Sequence, residues 1–69
     1  MPNYIINKNC DEKGRNEIHT TTCNHKPASW NQVSLGWFSC AESALVYAKL
    51  QGWKSADGCY YCCEEIHKG

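Results

Sequence analysis

Cys59-Tyr60-Tyr61-Cys62-Cys63-Glu64-Glu65-Ile66-His67 is the stretch on which the reading of this chain turns. It gathers three of the six cysteines and one of the three histidines within a few residues. Two thiols at C-x2-C spacing can reach one ion, because the two residues between them let the backbone fold around it. Their sulfurs then lie about 3.5–4 Å apart, as zinc ligands at ~2.3 Å require. Cys59 and Cys62 supply only two ligands, so a tetrahedral site needs two more from elsewhere.

His19 and Cys23 are the best candidates. They form H-x3-C where a strand gives way to a loop, the same sort of exposed corner that a C-x2-C knuckle occupies. Three thiols and one imidazole make a usual closed structural zinc set. A second set puts Cys63 or His67 in place of His19. Those two stand at i, i+4, so a helical turn after Cys62 would aim both at one point. Cys62 and Cys63 are adjacent and would point to opposite sides of an extended chain, so at most one of them should ligate. Cys10 and Cys40 have no partner at a ligand spacing.

Bulk properties sharpen the question. With 69 residues the chain is one small cysteine-rich domain, residues 1–69. A domain of this size buries only about 60% of the surface its unfolded chain exposes, and such scaffolds usually carry a staple. Formal net charge is zero and the basic residues are scattered, which disfavours a phosphate-tracking surface and hence nucleic acid. No apolar run approaches the ~20 residues of a membrane span. Met1-Pro2-Asn3-Tyr4 shows no basic segment leading into an apolar one, which predicts a cytoplasmic protein. In that compartment thiols stay reduced, and clustered cysteines favour metal over disulfides.

Outward from the cysteine stretch, the rest of the chain reads as α+β. Tyr4-Ile5-Ile6-Asn7 is a short strand, residues 10–16 a polar turn around Gly14, and residues 16–22 a β-branched return strand. Together they predict an N-terminal β-hairpin in which Ile18 faces away from Glu17 and His19. Residues 23–29 form a loop, since Pro27 lacks a backbone donor. Residues 32–35 predict a third short strand, interrupted by Gly36. Ser39-Cys40-Ala41-Glu42 fits a capping box, and Ala41, Ala44, Leu45 and Ala48 follow on one helical face. Gly52 stands where a left-handed residue ends a helix. The spacing therefore predicts a helix over residues 40–51. Residues 53–58 read as a connector with an Asp57-Gly58 turn, delivering the chain into a C-terminal cysteine loop beside the hairpin.

These same residues carry a resemblance. Ile18-His19, Cys23, Phe38-Ser39 through Ala44, Gly52-Trp53 and Cys59-x2-Cys62 resemble the metal-binding domain of the Ada DNA-repair protein and its small diverged relatives. Those domains share a β-hairpin, one helix beginning after a Phe and a Ser, and a Gly-aromatic step into C-x2-C. The resemblance covers roughly residues 4 to 63. The whole chain also resembles a set of short bacterial proteins of unknown function that begin near Tyr-Ile-Ile-Asn-Lys-Asn and end near Asp-Gly-Cys-Tyr-Tyr-Cys-Cys. Two departures from the Ada pattern matter. Repair-active domains use four cysteines, one of which takes a methyl group from DNA phosphate, and here His19 stands where one such cysteine would be. The step from Gly52 to Cys59 is also longer. The resemblance therefore implies the fold and a metal site, not methyl transfer.

Plainer readings compete. Free cysteines are among the most buried residues and pack as small hydrophobes. Six of them can also pair as disulfides. His19 alone would be an ordinary strand histidine; only Cys23 beside it raises it to a ligand. His25 should be solvated, and Glu64 and Glu65 should form a solvated face. Trp30, Trp37, Phe38 and Trp53 suit core and loop packing better than base stacking, which would want interleaved basic residues. A Cys-His pair such as Cys63 with His67 could activate a thiol. However, so short a chain has little room for a substrate pocket of ~300 Å3. A C-x2-C redox motif normally opens a helix in a βαβ unit, which this sequence lacks. The expectation is a monomeric, non-enzymatic module stapled by zinc, offering exposed aromatic surface such as Trp30 or Trp37 to a protein partner.

Overall fold

The structure, a computed structural model, describes residues 3–67. Strand β1 (Asn3–Asn7) and strand β2 (Asn16–Thr20) form the predicted hairpin, with Tyr4, Ile5 and Ile6 opposite Thr20, His19 and Ile18. Its turn is built by Asp11, whose side chain accepts the amides of Lys13 and Arg15, each at 2.9 Å. Those amides, Arg15's foremost, hold the Asp11 carboxyl below its ordinary pKa.

The sheet has four strands, in the order β3-β1-β2-β4, two more than the hairpin alone. Strand β3 (Gln32–Trp37) lies antiparallel to β1. It was expected to stop at Gly36, but it runs through it. Tyr4 pairs with Gly36 and Ile5 with Ser34, so Leu35 is an extra residue between two registered pairs. Such a bulge re-aims its side chain. Leu35 turns into the core, and Gly36 supplies the φ of +101° that a residue with a Cβ adopts only with strain.

Strand β4 (Ala56–Gly58) replaces the expected connector and Asp57-Gly58 turn, and it runs parallel to β2. Asp and Gly are poor strand formers, so context decides here. Asn16, Glu17 and Ile18 pair with Ala56, Asp57 and Gly58, and the Cys59 amide extends the ladder to the Ile18 carbonyl at 2.9 Å. Buried Asp57 takes an ion pair at 3.1 Å from Arg15, which ties β4 to the hairpin turn.

Helix α1 (Ala41–Leu50) lies inside the predicted 40–51. Ala41, Ala44 and Ala48 are fully buried, and their small side chains let the helix lie close to Tyr4, Ile6 and Ile18 on one sheet face. The predicted capping box does not form. Cys40, not Ser39, is the N-cap, and no side chain caps the first amides. Ser43, not Glu42, occupies the third helical position, with its hydroxyl 3.3 Å from Cys40 Sγ. The C-terminus follows the sequence. Gly52 has φ +102°, its amide bonds the Lys49 carbonyl, and the Trp53 amide bonds that of Ala48. Those two bonds define a Schellman stop.

Phe38 and Trp53 lie against the core, as expected, whereas Trp30 and Trp37, expected both as packing groups and as exposed aromatic surface, are exposed at 76% and 53%. Both flank or belong to β3, one of the two outer strands, where less of the fold is available to cover them. No described helix is long and apolar enough to cross a membrane.

Candidate metal centre

The parallel pairing of β2 with β4 builds the site. Both strands run the same way and end at the same edge of the sheet, so the residues that follow them emerge side by side. His19 is near the end of β2 and Cys23 lies just beyond it; Cys59 directly follows β4, and Cys62 comes one knuckle later. His19, Cys23, Cys59 and Cys62 converge, with one ligand atom from each lying within 4.8 Å of all the others. Cys23 and Cys59 have their sulfurs 4.0 Å apart, and Cys62 Sγ stands 4.0 Å from His19 Nδ1. A tetrahedral zinc with bonds of ~2.3 Å to sulfur and ~2.0 Å to nitrogen sets ligand atoms about 3.5–3.8 Å apart. The observed spacings need an inward shift of a few tenths of an ångström to about 1 Å. This donor set could hold a metal ion.

The surroundings suit thiolates. The Thr20 amide donates to Cys62 Sγ at 3.4 Å, and the His25 amide donates to Cys23 Sγ at the same distance. Such N–H donors lower the cost of negative sulfur in a buried place. His19 is almost wholly buried, with its Nε2 3.6 Å from Glu17 Oε1. Burial, followed by the charge on His25, pushes the His19 imidazole below its ordinary pKa, which favours the neutral form a metal binds. Burial also pushes the Cys62 thiol above its ordinary range and Cys63 up to about 11. Without a cation these thiols stay protonated at neutral pH.

The alternates fall outside this set. Cys63 is fully buried in the core, its sulfur 3.8 Å from Cys62 Sγ. The two sulfurs are close rather than on opposite sides, yet only Cys62 joins the four. His67 is turned away, with Nδ1 2.9 Å from the Gly58 carbonyl oxygen and 3.7 Å from Asp57. The reason is local. A 3-10 turn over Glu64–Ile66, not an α-turn, separates Cys63 from His67, so the i, i+4 juxtaposition does not form. Cys10 and Cys40 are exposed, and all six cysteines are free thiols.

The knuckle tip is aromatic. Tyr61 stacks on His25 at 3.9 Å and 17°, which pins the loop after Cys23 to the C-x2-C turn. His25 is exposed, as expected, but this ring contact was not foreseen. Tyr60 meets both Tyr61 and His67 edge-on. Away from the cysteines, the outward helix face forms an open apolar groove of about 330 Å3, lined by Glu42, Ser43, Val46, Tyr47 and Leu50. It contains no cysteine or histidine.

No family model, curated protein or solved structure matches this chain.

Proposed function

We propose that this protein is a small structural-zinc module in which His19, Cys23, Cys59 and Cys62 hold one ion, and that it serves binding rather than catalysis. The convergence of those four ligand atoms within 4.8 Å carries the reading. Three protein thiols and an imidazole fill a tetrahedral shell, whereas a catalytic zinc keeps a position open for water or substrate. The ligands come from two places far apart in the chain, so the ion would tie the hairpin to the C-terminal loop. The likeness to the Ada-type domain would extend to the metal and stop short of methyl transfer, since His19 replaces a thiol.

Such a module would meet a protein partner through its uncovered apolar side chains. Trp30, Trp37, Val46 and Leu50 are all more than half exposed. Native mass spectrometry of protein produced in a reducing cytosol should show one zinc per chain. Cys62→Ser should lose it, and Cys40→Ser, which alters a thiol outside the cluster, should keep it. Folded, metal-free protein that takes up no added zinc would refute the proposal.

A further inference from the structure

Resting on the metal-centre reading, we propose that Glu17 is a positioning residue: its carboxylate takes the Nε2–H of His19 and so commits Nδ1 to the metal. Glu17 and His19 alternate along β2 and project to the same face. The two ring nitrogens of His19 see different neighbours. Nδ1 looks at Cys62 Sγ, 4.0 Å away, and Nε2 looks at Glu17 Oε1, 3.6 Å away. The ring is too deeply buried for bulk water to replace either contact, its side chain being 2% exposed. A neutral imidazole carries one proton, so fixing it on Nε2 leaves the Nδ1 lone pair for an ion.

Glu17 itself is not a ligand, since the cluster of mutually close donor atoms excludes it. The 3.6 Å contact is longer than a good hydrogen bond and needs to close by about 0.5 Å, a shift of the same scale as the inward movement of the sulfurs.

The experiment compares wild type with Glu17→Ala and Glu17→Gln. In competition with a chromophoric chelator, Glu17→Ala should lose roughly 10–100-fold in zinc affinity, the usual effect of removing an outer-shell partner. Glu17→Gln, whose amide oxygen accepts the same bond, should recover most of it. Long-range proton–nitrogen spectra read the ring directly. They should place the proton on Nε2 of His19 in wild type, with and without zinc, and show a mixture of tautomers in metal-free Glu17→Ala. A proton on Nδ1, or wild-type affinity in Glu17→Ala, would overturn the proposal. If wild type takes no zinc, the metal reading fails, and the ring spectrum of the metal-free protein still decides whether Glu17 sets the tautomer.

Discussion

Removing the metal is the perturbation whose size the structure lets one work out. The ion would join Cys23 to Cys59 across 36 residues, and His19 to Cys62 across 43. Treated as a cross-link closing a loop of that length, it withholds about 4 kcal/mol of chain entropy from the unfolded state. A domain of this size has a total stability of ~3–10 kcal/mol at the usual per-residue values. Its core is modest: Ile6, Ile18, Ile66, Leu35 and Tyr4 supply the large side chains, and the helix adds only alanines to the fully buried set. Losing ~4 kcal/mol should lower the melting temperature by roughly 15–30 °C, at about 4–8 °C per kcal/mol for a chain this short. The assay is calorimetry of zinc-loaded protein against protein treated with chelator and reductant, with amide spectra at 25 °C to localise the change. Signals of residues 20–26 and 59–63 should move or broaden most. A metal-free form melting within ~5 °C of the loaded one, with an unchanged spectrum, would refute the cross-link argument.

Four further outcomes follow from the same geometry. Zinc binding should release protons, because thiol ligands must be deprotonated to hold the ion, so its affinity should fall as pH falls, as calorimetry in buffers of different ionisation heat would show. The metal-free form should have the opposite slope in alkali. Folding raises the Cys62 and Cys63 thiol pKa values, the latter to about 11, so their contribution is intact below the unfolded thiol value of ~8.5 and fades as pH rises through the folded one. Gly58→Ala should cost ~1–3 kcal/mol or more by thermal melting, because a Cβ there would run into the Ile66 side chain and the Cys63 carbonyl. Ser39→Ala, which a capping box would make costly by ~1 kcal/mol, should instead lie within about 0.5 kcal/mol of wild type, since Cys40 is the cap.

The elements that were legible in advance are those with a local cause. The hairpin followed from β-branched runs on either side of a polar turn, and the helix from alanines at helical spacing with a glycine stop. Each is decided within a dozen residues. Strand β4 has no such cause. Ala56-Asp57-Gly58 carries no strand propensity, and it is extended because β2 offers a parallel edge and because Gly58 lets Ile66 and Cys63 pack against the backbone. The bulge at Leu35 was hidden for a similar reason. Gly36 read as a break in the strand, whereas its positive φ lets the strand continue with Leu35 turned inward.

The four residues that converge are nevertheless singled out by spacing without β4, and the reason shows what spacing can and cannot carry. C-x2-C and H-x3-C each state that two donors sit on one tight turn, a local fact that survives ignorance of topology. That the two turns meet is non-local, and it was inferred only from the need for four ligands. The structure supplies the missing cause: a parallel strand pair ends at one edge of the sheet and delivers both turns there. The outer contacts had no sequence signal of this kind. Glu17 looked like any polar strand residue, and His25 and Tyr61 lie too far apart in sequence for their stacking to be read from spacing. Between the two histidines, Cys23 beside it is what favours His19 in the sequence. His19 is the one brought to the cysteines, because the chain after Cys62 makes a 3-10 turn and leaves the His67 ring against Gly58, where its Nδ1 meets a backbone carbonyl instead of a sulfur.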